Sequence, residues 1–144
     1  MNRKLEGAFQ GIKVLEITTG KAAAFCGMML SDNGAEVIKI GGMRKNTDHV
    51  DPHYSILDRG KSIYERNVDF GGEKFISLLE MTDVLITDLE LSDLYRDQIK
   101  YDRLKEINPA LILCSVTAYG IKGYLRSEPP IEDLVKARTG LCSS

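Results

Sequence analysis

No stretch of this sequence approaches the roughly 20 consecutive apolar residues that a membrane-spanning helix requires. The opening MNRKLEGAFQ lacks the apolar core of a secretion signal, and a cytoplasmic location is the expectation. Cysteine is sparse and odd in number: Cys26, Cys114 and Cys142 lie far apart with no CxxC pair, which leaves metal and redox roles without support. Cys26 is predicted on a helix and Cys114 in a strand, both on apolar sides, as buried free thiols. An excess of charge of one sign is missing too. The formal net charge is -2 over 144 residues, so there is no general attraction to nucleic acid or to an anionic membrane. Neither G-x-G-x-x-G nor G-x-x-x-x-G-K-[ST] occurs, which argues against a nicotinamide or flavin domain and against a P-loop. Internal repeats and low-complexity tracts are absent from the sequence.

What is there suits one domain with one core, covering residues 1–144. Hydrophobic residues make up 43% and charged residues 28%, the balance of a soluble globular protein. Residues 11–40 organise the chain. Ile12, Val14, Leu15 and Ile17 form a short apolar run, predicting a strand buried on both faces. Thr18, Thr19 and Gly20 break it. Residues 22–30 favour helix, with Ala23, Cys26, Met29 and Leu30 on one stripe. Asn33-Gly34 stops that helix, and Val37, Ile38 and Ile40 start a second strand. The unit is a strand–helix–strand crossover with parallel strands.

Further along, residues 41–55 are polar and turn-rich and read as a long surface loop. A helical turn is expected over 55–57, a tight turn at Asp58-Arg59-Gly60-Lys61, and a short strand at Ser62-Ile63-Tyr64. Phe75, Ile76, Leu78 and Leu79 give a helical apolar face. Residues 83–87 read as a buried strand, 91–100 and 101–107 as helices, and Asn108-Pro109 as the stop. Residues 110–116 are the most strand-like run of all. A Gly-punctuated loop, 118–124, and a last helix over 131–138, opened by Pro129-Pro130, complete the chain. Strands alternating with helices predict an α/β fold: a Rossmann-like open, mainly parallel sheet with helices on both faces.

Ligands of such folds bind at the carboxyl ends of the strands. The first turn there is Thr18-Thr19-Gly20-Lys21. Gly20-Lys21 at a helix N-terminus reads either as an anion site of backbone N–H groups and one ammonium or as a plain capping turn. Arg59, Lys61 and Arg66 form a basic cluster, either a solvated face or a phosphate contact. His49 and His53 are four apart, with Asp48 and Asp51 nearby. On a helix that spacing suits a metal, but Pro52 puts the segment in a loop, and no metal is expected. Catalytic triads with a recognisable frame are missing.

The chain resembles the N-terminal part of the family III CoA-transferases, the group that includes formyl-CoA transferase, the carnitine CoA-transferases and α-methylacyl-CoA racemase. Six blocks carry the resemblance in order. The family's G-I-K-V-L-D-F-T is Gly11 to Thr18 here, with Glu16 and Ile17 for Asp and Phe. G-A-E-V-I-K-I is Gly34 to Ile40. N-R-G-K-x-S-I resembles Asp58-Arg59-Gly60-Lys61-Ser62-Ile63, one residue shorter. A-D-V-L-I-E-N resembles Thr82 to Asp88. N-P-x-L-I-x-x-S-V-x-G-F-G-x-x-G resembles Asn108 to Gly123, and P-x-x-D-x-x-x-Q-A-x-S-G-L resembles Pro130 to Leu141. The resemblance implies a CoA-binding domain and transfer of CoA between carboxylic acids through an aspartate nucleophile, which forms a mixed anhydride and then an enzyme-bound thioester.

That aspartate is expected downstream of the last block, beyond these 144 residues. The family's A-G-P after the first strand is Ala22-Ala23-Ala24, its I-E-R is Ile40-Gly41-Gly42, and its N-F-R-P-G is Asp88-Leu89-Glu90-Leu91-Ser92. Core pattern kept with cofactor positions changed is the reading. The expected function is a CoA- or acyl-CoA-binding N-terminal domain, completed by a downstream part of the same protein or by a homo-oligomer. Its expected ligand contacts are Lys21, Arg59, Lys61, Tyr119 and Lys122. The alternative is a non-catalytic structural or assembly domain of the same descent.

Overall fold

The central strand β1, Lys13–Ile17, turns Leu15 and Ile17 to one face of a sheet and Val14 and Glu16 to the other, as side chains alternate along any strand. We describe the fold from a computed structural model, over residues 7–40, 56–64, 68–89 and 101–141. The leader through residue 6, the loop with His49 and His53, Arg66, the helix expected over 91–100, and Cys142 lie outside the described residues.

From β1 the chain enters α1, Lys21–Asp32, and returns through β2, Glu36–Ile40. Helix α1 stops as the Asn33-Gly34 pair predicts. Gly34 takes a positive φ of 99°, its N–H donates to the Ser31 carbonyl, and the Ala35 N–H donates to the Leu30 carbonyl, at 3.0 Å each. These two bonds satisfy the last carbonyls of the helix and reverse the chain. The elements that follow are β3, Ser62–Tyr64, α2, Glu73–Glu80, β4, Val84–Thr87, α3, Tyr101–Ile107, β5, Ile112–Ser115, and α4, Glu132–Arg138. Asn108 does more than end α3. Its side-chain amide donates to the carbonyls of Leu79 and Thr82 at 2.9 and 2.8 Å, tying the end of α3 to the end of α2.

All four strand pairings are parallel, in the order β3-β2-β1-β4-β5. The α/β reading with a parallel sheet holds. The chain builds outward from β1 on one side, then crosses to the other side with β4 and β5. The order therefore reverses between β1 and β4, where open sheets of this kind leave a crevice at the strands' carboxyl ends.

One core, on the α2–α3 face, gathers Leu15, Ile17, Phe75, Leu79, Leu85 and Leu104, with the Phe70 ring edge-on to Phe75 at 5.1 Å. The other lies under α1 and gathers Val14, Ala23, Ala35, Val37 and Ile86. One expectation needs correction. The buried stripe of α1 is Ala23, Ala24, Gly27 and Met28, while Met29 is exposed and Cys26 and Leu30 are half-buried. Small residues face the sheet because charged side chains rise from it there. The run at 110–116, the most strand-like in sequence, forms the edge strand β5, with Ile112 62% exposed. Apolarity alone does not distinguish an edge strand from a central one. Helix α4 buries none of its residues.

Candidate functional site

The crevice is built from the turn after β1 and the turn after β4. Helix α1 starts at Gly20, whose backbone is extended and which has no side chain to cap the first turn. The cap comes from across the crevice. The Asp88 carboxylate accepts from the Thr19 N–H at 2.8 and 3.0 Å, one bond to each oxygen, and from the Gly20 N–H. The residue after β4 is thereby bonded to the two residues that lead into α1, and a negative charge sits at the positive end of the helix.

Beneath α1 lies a buried ionic cluster that the sequence did not disclose. Glu16, from the middle of β1, is wholly buried, and so is the side chain of Lys61. The Lys61 ammonium stands 2.6 Å from Glu16 Oε2 and donates to the Ala24 carbonyl of α1 at 2.8 Å. The Thr18 hydroxyl donates to Glu16 Oε1 at 2.7 Å. Lys39, from β2, lies 3.6 Å from the same oxygen and 2.5 Å from Asp58 Oδ1. Burying so many charges is tolerable only because each is paired and hydrogen-bonded. The cluster pins the 58–61 turn against β1, β2 and α1.

The five sequence-derived contacts fall into four places. Lys21 stands at the start of α1 and lines a shallow apolar groove of about 440 Å³ with Ala22, Phe25, Ile56 and Leu57. Its charge also reaches Glu132 of α4: the Glu132 carboxyl is held below the usual carboxylate range first by its hydrogen bond to Lys136, and in small part by Lys21. Tyr119 and Lys122 follow β5, at the same carboxyl-end side of the sheet. The Tyr119 hydroxyl is buried with no hydrogen-bond partner among the described residues, and the Arg138 guanidinium lies over its ring at 5.3 Å, a cation–π contact. Arg59 is elsewhere. It grips Asp32, the last residue of α1, with Nε donating to Oδ1 at 3.0 Å and a second bond to Oδ2, at the edge opposite the strands' carboxyl ends. That pairing holds the Asp32 carboxyl below its usual range. Lys61 is sealed in the ionic cluster. Glu16, Lys39 and Asp58 were not among the expected site residues, and Asp88 figured only as a changed cofactor position; a lone Glu within the apolar run of β1 was the available signal.

Cys26 and Cys114 approach each other at the margin of the α1-side core, both half-buried. Burial, then the neighbouring Cys114 thiol and the Glu16 carboxylate, push the Cys26 thiol above its ordinary value, with Lys61 opposing. Thiolate is the reactive form, so at mildly alkaline pH Cys26 should alkylate several-fold more slowly in the native chain than in urea. Its pH–rate profile should rise later than that of a free thiol. Peptide-resolved mass spectrometry after a timed iodoacetamide pulse measures both, and equal native and denatured rates would contradict the burial. Among the described residues, no group of three or more metal-ligating side chains is assembled and no helix is long and apolar enough to cross a membrane.

The profile of CoA-transferase family III matches residues 9–144. The chain is 33% identical to a (R)-2-hydroxy-4-methylpentanoate CoA-transferase of Clostridioides difficile, over 83% of its own length and 34% of that enzyme's. It is 32% identical to a succinyl-CoA:mesaconate CoA-transferase of Haloarcula marismortui, over 79% of its length and 33% of the relative's. A crystal structure of a CAIB/BAIF family protein from Brucella suis superposes with a TM-score of 0.81 at 27% identity, covering 94% of this chain and 40% of that one. The chain thus spans about a third of the length of these curated relatives.

Proposed function

Since the chain belongs to CoA-transferase family III, we propose that it is the part of such an enzyme that binds CoA or an acyl-CoA as substrate, and that it contributes to moving CoA between carboxylic acids when a further part supplies the aspartate nucleophile. The observation that carries this reading is the reversal of strand order between β1 and β4, combined with the match over residues 9–144. A crevice at the carboxyl ends of parallel strands is where α/β sheets take nucleotide-like ligands. Lys21 and Lys122 bring ammonium groups to that side, suited to phosphates as mobile point charges. The buried Tyr119 hydroxyl, without a hydrogen-bond partner among the described residues, offers a donor and an acceptor to an amide of the substrate's pantetheine arm. Arg59 and Lys61 act as positioning residues, since Asp32 and Glu16 hold them.

The test is isothermal titration of the chain with CoA and with acetyl-CoA at millimolar concentration. Heat is expected with both, and Lys21→Ala and Lys122→Ala should each weaken CoA binding by about three- to tenfold, the scale of one charge-assisted contact at a solvated site. A null titration with both thioester and free thiol would overturn the ligand reading.

A second reading, an assembly role, draws on the exposed apolar residues Ile112, Tyr124 and Leu141, the last two 92% and 75% exposed. Apolar surface of that kind marks contact sites when it is contiguous. Sedimentation analysis separates the readings: a monomer at high concentration removes self-assembly.

A further inference from the structure

The first turn of a helix that follows the central strand of a parallel sheet, beside the point where strand order reverses, is where many α/β folds seat a phosphate. Free backbone N–H groups and the helix dipole make the position attractive to an anion. In this chain the entrance to that turn is occupied from within. Both oxygens of Asp88 take the Thr19 N–H, one of them also takes the Gly20 N–H, and the Thr19 hydroxyl lies 3.4 Å from Oδ1. Residue 20 permits the approach: a Cβ there would stand 2.9 Å from Asp88 Oδ2.

We propose that Asp88 is an internal anion and a specificity-determining residue, which closes the N-terminus of α1 to phosphate. A phosphate arriving there would find the Thr19 and Gly20 donors engaged and would face a like charge at contact distance. The position then disfavours the anionic parts of a ligand. Resting on the CoA reading, the consequence is that the diphosphate of CoA lies off the α1 terminus, toward side-chain cations. This sets the site apart from a dinucleotide crevice of the same strand order, and it assigns the discrimination to one carboxylate.

The experiment uses inorganic phosphate as the probe and the backbone amide signals of Thr19 and Gly20 as the readout, by two-dimensional NMR on the 144-residue chain. In the unaltered chain these two amides should stay unmoved as millimolar phosphate is added. In Asp88→Ala they should shift saturably, with phosphate affinity raised by at least about tenfold, since a charge-assisted pair of bonds becomes available to the anion. Saturable movement of these amides in the unaltered chain would overturn the proposal, even if the variant does not fold. A folded Asp88→Ala chain whose Thr19 and Gly20 amides ignore phosphate would overturn it as well. Inorganic phosphate keeps this result separate from the CoA titration. Failure of CoA to bind would remove the proposed function but leave the exclusion of anions by Asp88 tested on its own.

Discussion

Replacing Lys61 by alanine is expected to destabilise the chain by about 3–5 kcal/mol, the range found when one partner of a buried ion pair is removed. The Lys61 side chain is wholly buried and its ammonium stands 2.6 Å from the equally buried Glu16 carboxylate. Without it, Glu16 keeps the Thr18 hydroxyl and a more distant Lys39, at 3.6 Å. The Ala24 carbonyl of α1 loses the ammonium as well. Marginal stability means that such a loss is a large share of the total for a domain of this size. Urea unfolding measures it, and a loss below about 1 kcal/mol, the worth of an exposed pair, would show that the pair is wet. The double variant Glu16→Gln with Lys61→Met separates pairing from packing. It removes both charges, keeps an acceptor for Thr18 and retains the volume, so it should recover most of the stability that the single change removes.

Gly27→Ala is expected to destabilise by about 2 kcal/mol, although the same change in an ordinary helix interior stabilises by up to about 1 kcal/mol. The sign reverses because of what lies beneath α1. A Cβ at residue 27 would overlap Glu16 Oε2 and stand 3.0 Å from its Cδ and 3.3 Å from Lys61 Nζ. Those atoms are the ends of side chains, but both are buried and bonded, so they have nowhere to move without giving up the pair. The cost is that of overpacking a filled core. In a Glu16→Ala background the obstruction is gone, and Gly27→Ala should become neutral or stabilising. Thermal unfolding of the four chains tests this, and a destabilisation that persists in the Glu16→Ala background would place the obstruction elsewhere.

Both predictions concern residues that the sequence showed without their meaning. Glu16 interrupts an apolar run, and Gly27 sits inside a helical segment. Read singly, each is a minor irregularity. They become one feature only when α1 is laid over β1 and the 58–61 turn returns beside β2. Lys61 follows the same logic. Its place near Arg59 suggested a shared basic surface, but the two residues, separated by Gly60 with its positive φ, point apart: Arg59 bonds the end of α1 outside, and Lys61 goes inward.

The sequence by itself determined the elements and the class of fold. Apolar runs of strand length, a helix stop at Asn33-Gly34 and a general alternation of strands with helices depend on local backbone and patterning preferences, which are written within a few residues of where they act. It also determined the family, because six short blocks survive in order. Only strand pairing set which strand is central and which lies at the edge: the run at 110–116, the most strand-like in sequence, sits outermost among the described strands. The tertiary structure alone decided that Asp88 caps a helix some 70 positions earlier, and that Glu16 and Lys61 meet across 45. Pairings over such separations depend on how strands are ordered, and no local pattern in the chain encodes that order.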